Sequence, residues 1–150
     1  RQYPLLSVFK LHVAVAVLDR ADRENIALDS RIQIPSAEIK PDLYSPLREK
    51  YGVRDLSLPL RELLRYMVAE SDNNACDILI RWLGGVKKVA AYSRKIGLRQ
   101  TEILVTETEM NRNVRLQYAN KAPLSEIIRL LQLIDGGKLL RRNCIRSCWR

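Results

Sequence analysis

The chain has 150 residues, 47% of them apolar, and carries a net charge of +9 from 26 Lys+Arg against 17 Asp+Glu. That length and composition fit one globular domain with a real core. The longest apolar run, Val13 to Leu18, is far too short to span a membrane. The basic residues are scattered, without a basic block interleaved with aromatics. They read as a basic surface rather than a nucleic-acid face. Cys76, Cys144 and Cys148 make no disulfide framework. The Cys144–Cys148 pair lacks histidine neighbours, so neither a metal nor a cofactor is expected. Cys76 lies in an apolar helical pattern and reads as a small core residue. Residue 1 is Arg, so the chain reads as a piece of something longer or a processed product.

In chain order, Ser7 to about Arg20 predicts a strongly buried helix closed by Asp19 and Arg20. Arg31 to Ile34 alternates polar and apolar, as a short strand does. "KPDLYSPLREKYG" (40–52) holds two prolines and reads as a loop with at most one short helical turn. "LSLPLRELLRYMVAESD" (56–72) predicts an amphipathic helix. Its cap is Ser57, Pro59 sits in the first turn, and Leu60, Leu63, Leu64 and Met67 form the stripe. Asn74 to Leu83 is a second helix stopped by Gly84-Gly85, and Val86 to Ile96 a third stopped by Gly97. Thr101 to Ala122 has little helical periodicity. A polar irregular stretch of that length inside a domain is functional or disordered. Pro123 to Ile134 returns to helix, ended by Asp135-Gly136-Gly137, and "KLL" (138–140) could open another. After Leu140 the composition shifts to Arg, Cys and Trp. The sum is mostly helical with very little strand.

Three short motifs could carry chemistry. Ser7 and Lys10 stand at i, i+3 on one helix face. A serine at a helix N-terminus beside a desolvated amine is a nucleophile with its proton acceptor; it is equally a capping serine followed by a lysine. "SDN", Ser71 to Asn73, places a hydroxyl and a carboxamide between two helices, or simply caps the second. "ETEMN", Glu107 to Asn111, offers a carboxylate and an amide to hold a water, or is a solvated loop. His12, five residues from Ser7, points to another helix face and reads as a packing or boundary residue rather than a triad member.

Order and spacing add what each motif lacks. S-x-x-K is followed by S-D-N 64 residues on, from Ser7 to Ser71, and by E-x-E-M-N after a further 36, at Glu107. With the surrounding "SVFKLHVAVAVLD", "LYSPLRE" and "LRELLRYMVAESDNNACDILI", the chain resembles class A serine β-lactamases. It is most similar to the branch found in Bacteroides and relatives, over about Tyr3 to Leu140. The resemblance implies Ser7 as acylated nucleophile and Lys10 as proton shuttle. Ser71 would pass a proton to the β-lactam nitrogen, and Asn73 would bind the substrate's amide side chain. Glu107 with Asn111 would hold the deacylating water on an Ω-loop at about 101–122. The proton acceptor during acylation is Lys10 or Glu107. The Ser7 N–H would form half of the oxyanion hole. The substrate implied is a small β-lactam, with neither a nucleic-acid nor a membrane partner, and the implied location is periplasmic or secreted.

Two departures stand out. Asp77 replaces the Asn of many members, which puts the usual Ω-loop anchor in doubt. No K-[ST]-G occurs, and with it goes the strand that carries the second oxyanion donor; losing such a donor costs about 10²–10³ in kcat. The expected fold is therefore mostly α. It is the helical subdomain of the two-subdomain α/β fold of β-lactamases and transpeptidases, with the sheet part largely missing. Residues 1–140 would form a partial domain and 141–150 an atypical tail from a truncated or frameshifted coding sequence. Without the sheet, the Ser7 helix is expected to lose much of its apolar cover and the chain to be marginal or prone to associate. A penicillin-binding DD-peptidase-like protein, a non-functional remnant and a basic nucleic-acid-binding module are the alternatives.

Overall fold

The structure, a computed structural model, describes residues 1–139. The chain runs β1 (Gln2–Pro4), α1 (Phe9–Arg23), β2 (Arg31–Ile34), α2 (Pro46–Tyr51), β3 (Leu56–Pro59), α3 (Leu60–Ala69), α4 (Asn73–Leu83), α5 (Val86–Lys95), α6 (Glu107–Arg112), β4 (Lys121–Pro123) and α7 (Leu124–Asp135). It is mostly helical, as the periodicity implied. The expected tail, 141–150, and Leu140, the last residue of "KLL", lie outside the described residues; Lys138 and Leu139 are not helical.

Helix α1 is the axis of the fold. Ten of its 15 residues are buried, because nearly every position from Phe9 to Leu18 is apolar. It packs against α3, α4 and α5. Phe9, Val13 and Val17 join Leu63, Met67, Ile78 and Leu79 in the main core. Val15 and Ala16 pack with Tyr92, Leu98 and Leu130 in a second cluster. Each such side chain contributes about 1.5–3 kcal/mol by leaving water. The expectation that α1 would be left uncovered is thus wrong, since α5 and α7 supply its second face. The exposed apolar stripe lies instead on α7, at Leu124, Ile128 and Leu131.

Four strands form two antiparallel pairs, β1 with β4 and β2 with β3. Only β2 follows directly from alternation. The "LSLP" segment is strand, not the first turn of α3, and it pairs Ile32 with Leu58 and Gln33 with Ser57. Pro59 explains the correction, because a proline biases the residue before it toward extended backbone. Pro59 itself is extended, with φ −61° and ψ 144°. Ser57 caps nothing. Its hydroxyl accepts cross-strand bonds from Arg31 Nε and Gln33 Nε2, each 3.2 Å long. The 40–52 loop holds somewhat more helix than expected: α2 has six residues, capped by the Ser45 hydroxyl on Arg48 N. The polar 101–122 stretch is also more regular than its composition suggests. It contains α6, started by a Thr106–Glu109 capping box, a 3-10 turn at Val114–Tyr118, and part of β4.

Candidate active site

The serine–lysine pair sits where the chain enters α1. Ser7 lies in a 3-10 turn, Leu6–Val8, that feeds directly into the helix, so its side chain stands at the positive end of the α1 dipole. Three residues later Lys10 turns its amine back toward it. Lys10 is only 3% exposed, and a buried ammonium needs oxygen partners.

It finds five. Lys10 Nζ lies 3.2 Å from Ser7 Oγ, 3.0 Å from Ser71 Oγ, 3.1 Å from Ser71 O and 2.7 Å from Asn73 Oδ1. The fifth is Glu107 Oε1 at 3.1 Å. Three N–H donors are thus shared among five acceptors. The Ser71 hydroxyl also donates to Ser7 Oγ at 3.1 Å.

The second motif reaches this shell through backbone geometry that no periodicity reveals. Ser71 has φ +54°, a left-handed conformation uncommon for a residue with a Cβ. Asp72 holds it there. The Asp72 carboxylate, fully buried, accepts from Ala75 N at 2.8 Å as the cap of α4. It also accepts from Leu47 N at 2.7 Å and from the Ser45 hydroxyl. Both readings of "SDN" are therefore met: Asp72 caps the helix, and Ser71 and Asn73 on either side face Lys10.

Glu107 arrives on α6. Burial pushes its carboxyl above the ordinary value, the neighbouring Lys10 pulls it back, and the Asp77 carboxylate adds a smaller upward push. Asp77, whose identity put the usual anchor in doubt, bonds the start of α6. Its Oδ1 accepts from Glu107 N at 2.9 Å, and its Oδ2 accepts from Thr108 N at 2.9 Å and Thr108 Oγ1 at 2.6 Å. Three donors converge on a group that only accepts, so a carboxylate suits this position. Burial pushes Asp77 upward too, while the three bonds oppose it.

Of the six sequence-predicted residues, Ser7, Lys10, Ser71, Asn73 and Glu107 meet around one nitrogen. Asn111 stands apart from that shell. It lines a cavity of about 250 Å³ with Ser7, Asn73, Glu107, Met110 and Gln117, and its Nδ2 donates to Asp42 Oδ2 at 2.9 Å. A second cavity of about 270 Å³ lies on the other side of Ser7, against Leu11, Met67, Val68 and Ser71. His12 is a packing residue as read, fully buried, with Nδ1 3.2 Å from Ser93 Oγ on α5.

Three supporting residues escaped the sequence reading. Asn120 accepts from Leu104 N and Val105 N through Oδ1 and donates to Val105 O, tying together the two ends of the 101–122 stretch. Asn74 closes a two-way bond with the backbone of Lys40. Asp42 is the third. Each is one polar residue among many, and only burial or a distant partner sets it apart. Among the described residues no cluster of His, Cys, Asp or Glu could hold a metal. None of their helices is long and apolar enough to cross a membrane. The thiol of Cys76 is fully enclosed, and burial pushes it well above its ordinary value.

A buried lysine thus links two serines, a carboxamide and a carboxylate, and comparison with known proteins places the chain in a family. The model of the beta-lactamase enzyme family matches residues 1–145, and the chain belongs to that family. It is 42% identical to a beta-lactamase of Bacteroides uniformis, over 97% of this chain and 49% of the relative. Its fold is similar to a class A beta-lactamase from Bacteroides cellulosilyticus, with TM-score 0.93 and 40% identity over 98% of this chain and 53% of that one. A beta-lactamase from Chitinophaga pinensis gives TM-score 0.94 and 37% identity, over 98% and 54%. The chain spans about half the length of the relatives it matches.

Proposed function

We propose that this chain carries the nucleophilic half of a β-lactam-hydrolysing site that works through an acyl-enzyme on Ser7. One observation carries the reading: a single buried amine, Lys10 Nζ, touches Ser7 Oγ, Ser71 Oγ and Glu107 Oε1 at 3.0–3.2 Å. A proton can pass among all three without a group moving far.

In the first step the Ser7 Oγ–C bond forms at the lactam carbonyl. The Ser7 proton passes to Lys10 in its neutral form or, through the same contact, to Glu107. The raised affinity of Glu107 for a proton suits it to relieve Lys10 of its third hydrogen. The C–N bond then breaks. Its nitrogen takes the Ser71 proton, and Lys10 replaces it. Before the second step Glu107 returns its proton to Lys10 and is again a carboxylate; water then adds to the acyl carbon, Glu107 takes a proton from it, and that proton ends on Ser7 Oγ as the ester bond breaks. Asn73 would hold the amide side chain of the substrate. By the family resemblance, the setting is the periplasm or outside the cell and the consequence is resistance to β-lactam antibiotics.

The sequence holds one oxyanion donor, Ser7 N–H, and no K-[ST]-G strand for a second. Acylation by the 150-residue chain should therefore run about 10²–10³ more slowly than with both donors. The test is intact mass after mixing with excess benzylpenicillin, with Ser7→Ala beside it. An adduct that forms on Ser7 and decays is the expected result. A persistent adduct would place the chain with penicillin-binding proteins that do not deacylate. No adduct on either protein would make it a remnant that keeps the family's fold without its chemistry.

A further inference from the structure

We propose that Asp42 decides which end of the Asn111 side chain faces the cavity, and is thereby a positioning residue for the water step. This rests on the reading of Glu107 as the carboxylate that activates water. The contact joins segments 69 positions apart: Asn111 Nδ2 donates to Asp42 Oδ2 at 2.9 Å. An ionised carboxylate only accepts, so the end of the amide that meets it must be the NH2 end. The carbonyl end, Oδ1, is what remains for the cavity that Asn111 lines with Ser7 and Glu107.

The consequence lies in the hydrogens of a water held there. Both Glu107 and Asn111 Oδ1 are acceptors, so the water donates one hydrogen to each. A lone pair stays free to attack the acyl carbon while a proton leaves to Glu107 and on to Ser7 Oγ. With the amide reversed, the NH2 would donate to the water and occupy that lone pair.

Asp42 is placed to make this choice because its loop is held on both sides. Asn74 bonds the Lys40 backbone at 2.9 and 3.0 Å. Arg48 Nη1 donates to Lys40 O and Leu43 O, and Asn73 N donates to Tyr44 O at 3.1 Å. The carboxylate therefore sits on a braced arm, beside the residue that the proposed function assigns to substrate.

The test uses the 150-residue chain with labelled asparagine and the variants Asp42→Asn, Asp42→Ala and Asp42→Glu. The Asn111 side-chain amide resonances should shift and lose exchange protection in Asp42→Ala. After benzylpenicillin, the ratio of adduct decay to adduct formation should fall about tenfold in Asp42→Ala, the loss of one charge-assisted bond, and less in Asp42→Asn, whose amide oxygen can still accept. It should recover in Asp42→Glu, which keeps an acceptor-only group. Asn111 resonances unmoved in Asp42→Ala, or an unchanged ratio in Asp42→Ala, would overturn the proposal. If the wild-type chain forms no adduct, the acyl-enzyme reading fails by itself and the resonances decide the Asp42 contact: movement supports it, and none sinks it.

Discussion

Lys10 and His12 lie two residues apart on α1, both enclosed, and they meet burial in opposite ways. Lys10 has five oxygen neighbours. Among the described residues His12 has one hydrogen-bond partner, Ser93 Oγ, and its buried Nε2 has none. Burial lowers the His12 pKa from 6.5 to about 4, with Glu126 opposing weakly. The two faces of one helix thus hold an amine ringed by oxygens and an imidazole whose charge burial suppresses. The difference shows what burial of an ionisable group requires: the Lys10 side was assembled from three separate chain segments, and the His12 side from packing and one hydroxyl.

Breaking the Lys10 side should have the larger effect. Lys10→Met keeps most of the bulk and leaves Glu107 buried without its cation, which should cost about 3–5 kcal/mol at pH 8. The deficit should shrink at pH 5, because a carboxyl raised by burial takes up a proton as pH falls. Urea unfolding at the two pH values checks this, and a deficit equal at both would mean that Glu107 does not feel the loss.

The His12 side should give a smaller and opposite dependence. Above pH 6.5 the imidazole is neutral in both folded and unfolded chains, and no linkage exists. Between pH 6.5 and about 4 the unfolded chain takes the proton first, so stability should fall by about 3 kcal/mol across that window. His12→Leu should flatten that part of the stability–pH curve. If the slope survives the substitution, another group causes it.

The smallest effect concerns Ser57. As a helix cap its loss would cost about 1 kcal/mol. As a cross-strand acceptor on an exposed sheet face, Ser57→Ala should cost under about 0.5 kcal/mol. A thermal melt with a loss near the larger figure would return Ser57 to α3.

How much of this was legible follows from the range of the interactions. The positions of α1, α4, α5 and α7 came from apolar periodicity, which is local and survives in one dimension. The β3 segment did not, because "LSLPLRELL" satisfies a helical stripe and a strand alternation equally well until β2 pairs with it. The β1–β4 pair joins Tyr3 to Ala122, a distance in sequence that no local pattern encodes. Ser7, Lys10, Ser71, Asn73 and Glu107 were legible as motifs, and their roles came through the family resemblance. Asn74, Asn120 and Asp42 were not, because a polar residue that clamps a distant segment has the same composition as one in a solvated loop.

The sequence by itself determined where the long helices lie, that α1 is apolar on most faces, and which short motifs could hold a nucleophile. Those follow from side-chain chemistry and spacing along one chain. Only the tertiary structure decided that the motifs meet at one nitrogen, that Asp77 rather than an amide holds the start of α6, and that α5 and α7 complete the cover of α1. Each of these needs groups from distant segments within about 3 Å, and hydrogen bonding at that range is a property of the folded chain.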